Sequence, residues 1–210
     1  MIKIYESGLI PEGGIIKRSE DESSKVDETV RLIMEDVKKR KDAALYDYCE
    51  KFDKVKLNSL AVSEEEIDAA VKSVPEDFIM TLQMARENII DYHKRQKREN
   101  YIVNEKEGVI LGQRIIPIEK VGIYVPGGTA SYPSSVLMNA LPAGIAGVKD
   151  IVMASPCGKD GKIPDAILAA AKISGVTRIF KIGGAQAIAA LAHGTESVPK
   201  VDKITGPGNI

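Results

Sequence analysis

The stretch Val121-Gly-Ile-Tyr-Val-Pro-Gly-Gly128 decides the fold: a short apolar run that reads as a buried strand, closed by a proline and two glycines. Downstream the same grammar repeats. The pattern predicts a helix over 134–146, a strand in Asp150-Ile-Val-Met-Ala154, a helix over 163–173 and a strand over 177–182. A helix over 185–191 and a strand over 201–204 follow. Short apolar strands alternating with Ala/Gly-rich helices imply βαβ crossovers and a parallel sheet, whose ligand cleft lies at the carboxyl ends of the strands. Three glycine pairs, Gly127-Gly128, Gly183-Gly184 and Gly206-Pro-Gly208, each follow a predicted strand. Glycine there lets backbone approach a ligand closely, and a following helix offers free N–H groups to a phosphate. None of the three is the GxGxxG fingerprint, so the pattern reaches a mononucleotide or dinucleotide pocket on a Rossmann-like half and stops there.

Upstream, from about residue 24 to 97, the period is helical. Val26, Val30, Ile33, Val37, Ala44, Leu45, Tyr48 and Phe52 recur at three- and four-residue steps, which places them on one face of one helix or of a broken pair. Ser63-Glu-Glu-Glu66 is a capping box that opens a second helix, and Pro75-Glu-Asp starts a third that runs through Ile79, Leu82, Ile89 and His93 to about Lys97. His93 on that apolar face reads as a hydrogen-bonded, partly buried residue, because no further metal ligand is spaced to help it. Lys94-Arg95-Gln96-Lys97-Arg98 reads as a solvated helix end. Between Tyr101 and Ile118 the alternation around Glu107-Gly108 predicts a β-hairpin that bridges two regions. The expected organisation is a helical region plus hairpin over 1–119 and a Rossmann-like lobe over 120–210.

Composition narrows the class of function. The 29 basic and 30 acidic residues leave a formal net charge of -1, which offers nucleic acid or an anionic membrane no electrostatic attraction. No apolar run approaches the ~20 residues of a transmembrane helix, and Met1-Ile-Lys-Ile-Tyr-Glu lacks a secretory pattern, so a cytoplasmic location is expected. Cys49 and Cys157 stand far apart without a CxxC or Cys/His cluster and read as two buried thiols. With no tryptophan and three phenylalanines, the core is expected to be aliphatic.

The literal strings go further. Val121-Gly-Ile-Tyr-Val-Pro-Gly-Gly-Thr-Ala130, Ser134-Ser-Val-Leu-Met-Asn-Ala-Leu-Pro-Ala143, Gly183-Gly-Ala-Gln-Ala-Ile-Ala-Ala-Leu-Ala192 and Gly206-Pro-Gly-Asn-Ile210 resemble the histidinol dehydrogenase family. So do Asp42-Ala-Ala-Leu45, Lys51-Phe-Asp-Lys54 and Tyr92-His-Lys-Arg-Gln96, which extend the resemblance from about Ser24 to the end. It implies an NAD-dependent, zinc-containing enzyme that oxidises L-histidinol through the aldehyde to L-histidine. It also implies an aldehyde-dehydrogenase-like α/β fold with Rossmann-like lobes, in an intertwined homodimer. Carried over by motif, the NAD-touching residues fall on Tyr124, Gln186 and Asn209. An amide such as Gln or Asn can serve ribose or phosphate oxygens, and a tyrosine at a strand end can pack on a sugar or ring. Read without the family, Gln186 is a cap-like residue at a helix start and Asn209 a turn residue.

In the family the zinc ligands (a glutamine, two histidines and an aspartate) and the glutamate–histidine acid/base pair lie beyond the Gly-Pro-Gly-Asn motif. Catalytic and metal residues are therefore expected from none of the 210 positions, and His193 reads as a helix C-terminal residue beside Gly194. The expectation is a truncated portion of that enzyme, inactive alone, with apolar surface exposed and a tendency to self-associate. Two other readings compete. One is a related aldehyde or acyl-phosphate dehydrogenase with Cys157 as nucleophile, placed after a strand in Ser-Pro-Cys-Gly. The other is a nucleotide-binding module that never catalyses.

Overall fold

The computed structural model describes residues 20–127 and 131–208. Gly128 and Asn209, both singled out above, lie outside them. Among the described residues the central feature is a four-stranded parallel sheet: β3 (Lys120–Tyr124), β4 (Asp150–Ala154), β5 (Arg178–Phe180) and β6 (Lys203–Thr205), in the order β5-β4-β3-β6. β3 pairs with β4 over its full length, Lys120 with Asp150 through Tyr124 with Ala154. On its other edge Val121, Gly122 and Ile123 pair with Lys203, Ile204 and Thr205.

Alternation along the strands sorts the side chains to two cores. Val121, Ile123, Val125, Ile151 and Met153 belong to one, packed with α5 (Pro133–Ala146) and α6 (Asp165–Ser174). Val152, Ala154, Phe180 and Ile182 belong to the other, packed with α7 (Gly184–His193). Because both faces are covered, β3 and β4 are near-continuous apolar runs, which is how the sequence signalled them. Gly122 faces the α7 side, where a Cβ would stand 3.1 Å from both Leu191 and Val201, so glycine lets α7 settle close to the sheet.

The N-terminal helices complete both faces. α1 (Glu20–Arg40) and α2 (Asp42–Tyr48) pack on α7, while α3 (Glu64–Ser73) packs on α6 and α4 (Glu76–Lys94) on α5. The helical region and the sheet thus share their cores. The expected broken pair is α1–α2. Lys41, with φ 53 in the left-handed region, makes the break while its N–H still donates to Val37 O at 2.8 Å. Ile33, Val37, Ala44 and Leu45 of the predicted stripe are buried. Its ends are not: Val26 is 36% exposed and Phe52 48%. The capping box forms as expected, with Ser63 Oγ accepting from Glu66 N–H at 3.2 Å and Ser63 N–H donating to Glu66 Oε2 at 2.9 Å. Glu66 Oε1 also takes an ion pair from Lys181 Nζ at 2.5 Å. Burial works to raise the Glu66 pKa, but the Lys181 and Ser63 hydrogen bonds prevail and hold it below the ordinary value.

Several boundaries move for local reasons. α6 begins at Asp165 instead of 163, because Pro164 stands at the N-cap and a residue before proline is turned away from helical geometry. β5 ends at Phe180, since Lys181 N–H donates to Leu60 O at 2.7 Å rather than to a sheet strand. The segment around Ala61, with Val62 N–H on Ile179 O at 2.9 Å, lies antiparallel along β5 and covers that sheet edge. β6 starts at Lys203 because Val201 and Asp202 donate to Leu191 O and Lys120 O.

The hairpin forms as predicted, β1 (Tyr101–Lys106) with β2 (Val109–Gln113), and its burial is unexpected. Every residue of both strands is exposed; Ile102 and Ile110 reach 77%. His93 is partly buried, with Nδ1 2.7 Å from Gln96 Oε1, and the basic run after it is solvated.

Two substitutions measure this architecture by urea unfolding. Met153→Ala, in the sheet's core face, is expected to cost about 2–5 kcal/mol, and Ser63→Ala about 1 kcal/mol through loss of the cap. An unchanged midpoint for Met153→Ala would contradict the packing described.

Candidate functional site

Strand order reverses at β3. The α5 and α6 crossovers step from β3 to β4 to β5 on one face, and α7 then returns along the other face to place β6 on the free edge of β3. In an open parallel sheet such a reversal leaves a crevice outside the carboxyl ends of the two strands, because the connecting helices leave in opposite directions. Here that crevice has a volume of about 420 Å³ and is lined by Tyr124, Pro126, Gly184, Ala185, Ile188 and Thr205, among others. It shares Tyr124, Pro126, Gly127, Gly184 and Ala185 with a larger cleft of about 720 Å³ that extends over β4 to Asp53, Ser155, Cys157 and Gln186.

Tyr124 sits at the junction. Its phenol oxygen accepts a hydrogen bond from Gly184 N–H at 3.0 Å, which satisfies one of the donors that the first turn of α7 leaves free. The ring therefore ties the end of β3 to the start of α7 and forms a wall of both cavities. Gln186 is 3% exposed, in the first turn of α7, and lines the larger cleft. Its carboxamide lies against Gly184: a Cβ on Gly184 would stand 2.8 Å from Gln186 Oε1, and Gly184 has φ +63. The N-cap of α7 is Gly183, which has no side chain to cap the helix. On the opposite wall Thr205 Oγ1 donates to Asn139 Oδ1 at 3.0 Å, which fixes the end of β6 against α5. The structure thus brings Tyr124 and Gln186 to one cleft, and Gly206 to Gly208 lead from the crevice wall toward Asn209, outside the described residues.

The glycine turns line the cavities, and they are also closely packed against their neighbours. A Cβ on Gly127 would stand 2.4 Å from Pro156, and one on Gly183 would stand 2.6 Å from it. Pro156, after β4, is wedged between the two turns. Gly206, at φ +142, would drive a Cβ to 2.2 Å from Tyr124 O. These glycines let turn pack on turn, and Gly208 has open space around it.

The thiols are buried and free. Burial, and then the negative charge of Asp53, push the Cys49 thiol up to about 12 and that of Cys157 upward. Cys157, 9% exposed, is held as a thiol, the opposite of what a nucleophile needs. His193 ends α7 and is followed by Gly194, whose N–H donates to Ala190 O at 2.8 Å. Among the described residues no group of three His, Cys, Asp or Glu side chains could hold a metal ion, so a zinc site is not fitted there. Sequence reasoning missed Pro156, which nothing local marks as a wedge. It also missed Asp53, although Asp53 lies inside the quoted Lys51-Phe-Asp-Lys54.

Comparison with known proteins agrees with this architecture. The family model described as histidinol dehydrogenase matches residues 16–210. The chain is 52% identical over 194 residues to a histidinol dehydrogenase of Clostridium acetobutylicum, covering 92% of this chain and 45% of that protein. It is 54% identical over 200 residues to one of Geobacillus kaustophilus, covering 94% and 47%. The crystal structure of histidinol dehydrogenase from Elizabethkingia anophelis superposes with a TM-score of 0.86 at 43% identity, over 92% of this chain and 44% of that one. The chain spans a little under half the length of the relatives it matches.

The turn geometry makes a sharp contrast testable. Gly206→Ala, which meets backbone at a positive φ, is expected to lose about 1–3 kcal/mol of stability or more. Gly208→Ala, in open space, is expected to stay within about 0.5 kcal/mol. Equal unfolding midpoints for the two would refute the close approach of Gly206 to Tyr124.

Proposed function

Since the chain belongs to the histidinol dehydrogenase family, we propose that its crevice is the NAD site of an oxidoreductase that converts L-histidinol to L-histidine, in histidine biosynthesis. The observation that supports this reading most directly is the position of the crevice. It lies where the strand order reverses, beside the N-terminus of α7, with Tyr124 bonded to the first N–H of that helix. A helix N-terminus favours negative charge through its dipole and its free N–H groups, which suits the pyrophosphate of a dinucleotide. The two joined cavities have the extent of a nucleotide-sized ligand.

Within this reading each residue has a physical task. Tyr124 packs on a sugar or ring and keeps α7 seated at the end of β3. Gln186 presents a carboxamide that both donates and accepts, and Asn209 supplies a second amide next to the crevice wall. NAD, when bound, supplies the hydride acceptor. The fold is proposed to be that of an aldehyde-dehydrogenase-like enzyme, with a Rossmann-like sheet over 120–210 whose two faces the helices of 1–119 help to cover. Zinc and the acid/base groups are assigned to none of these residues, so no chemical step is derived through them, and the chain alone is expected not to oxidise histidinol. A cytoplasmic location is part of the proposal. It would fail if fractionation placed the protein elsewhere.

Titration of NADH fluorescence with the 210-residue chain is expected to show saturable binding. Tyr124→Phe and Gln186→Ala should each weaken it about fivefold, the equivalent of one hydrogen bond. No saturable binding by the unaltered chain would overturn the site. Zinc-dependent NADH formation from L-histidinol by the same chain would overturn the division of labour.

Self-association belongs to the same proposal, with a second copy covering the hairpin. Tyr101, Val103 and Leu111 lie on one face of the ribbon and Ile102 and Ile110 on the other, all solvent-exposed. A two-stranded ribbon with both faces bare is marginal in water. Sedimentation is expected to show dimers at micromolar concentration that dissociate on Ile110→Ser with Ile102→Ser; a monomer throughout would count against the partner.

A further inference from the structure

The larger cleft contains a group that the family motifs do not assign. Asp53 closes a π-helical turn, Cys49–Asp53, at the end of α2, and Lys54 after it is left-handed at φ 59 without being glycine. π-turns and strained non-glycine residues are unfavourable in isolation and persist where the surrounding structure over-determines them. Here they deliver one carboxylate to the wall of the cleft that also holds Tyr124, Gly183, Gly184 and Gln186. Asp53 Oδ2 is enclosed and has no hydrogen-bond partner. Burial raises its pKa. A buried acceptor left unmade is an energetic loss that natural cores avoid, so its retention in a ligand cleft calls for a ligand donor.

We infer that Asp53 is a ligand-binding residue of this cleft, its carboxylate accepting hydrogen bonds from the vicinal hydroxyls of a nucleotide ribose. The inference rests on the nucleotide reading above. A carboxylate repels phosphate and selects the uncharged donors of a dinucleotide. Among those, a vicinal diol alone presents two O–H groups side by side to two carboxylate oxygens. The end of α2, the end of β3 and the start of α7, three of the segments that line the pocket, then each contribute one contact.

The test is fluorescence titration of the 210-residue chain with NADH and with deamino-NADH, whose base lacks the amino group, alongside thermal unfolding. Asp53→Ala is expected to weaken both nucleotides by about fivefold or more. Asp53→Asn, which keeps the shape and one acceptor, should weaken them less. The unfolding midpoint of Asp53→Ala should stay or rise, since an unpartnered buried acceptor has been removed. Unaltered affinity in a folded Asp53→Ala or Asp53→Asn chain overturns the inference and leaves the NAD site standing. A loss seen with NADH and not with deamino-NADH overturns the ribose assignment. A lower midpoint with unaltered affinity marks a purely structural acid and also overturns it. Failure of the unaltered chain to bind NADH is a different result, which removes the nucleotide reading together with this inference.

Discussion

Everything in this molecule is referred to strand β3. It is hydrogen-bonded on both edges and covered on both faces, so its backbone and side chains have no freedom to move independently of α5, α6 and α7. Its last residue, Tyr124, then carries three constraints at once. Its carbonyl abuts Gly206, its phenol accepts from Gly184, and its ring walls both cavities. The cleft is consequently a by-product of sheet construction. It opens where the crossovers diverge, and its floor is the end of a strand paired on both edges.

The turns around that floor illustrate how a packing requirement and a binding requirement share one signal. Glycines after parallel strands read in the sequence as places where backbone meets a ligand. In the structure Gly127 and Gly183 close on Pro156, and Gly206 closes on Tyr124. Tight turns hold the cleft walls in place, and the walls combine these glycines with the side chains of Tyr124, Gln186 and Asp53. The same rigidity suits a cofactor site, where a preformed surface spares the ordering that binding otherwise costs.

The N-terminal helices are as much a part of this site as the sheet. Segment 60–62 lies along the β5 edge, the Glu66–Lys181 ion pair ties α3 to the residue after β5, and the π-turn after α2 reaches the cleft. Against that integration the hairpin stands out. It carries apolar residues on both faces and buries none of them in this chain.

By itself the sequence determined the strands, the helices and their caps, because these depend on period, on proline and on short-range hydrogen bonds such as Ser63 with Glu66. It also marked Tyr124 and Gln186 through motifs, and two buried thiols through the absence of partners nearby in the chain. Only the tertiary structure decided the strand order and hence where the crevice opens, since parallel pairing joins residues far apart and leaves no local trace. It alone decided that Pro156 fills the glycine turns, that residues 60–62 cover a sheet edge and that the hairpin is bare. It alone made Asp53 an enclosed acceptor, because desolvation is a property of everything packed around a group and of nothing in the group's own neighbours along the chain.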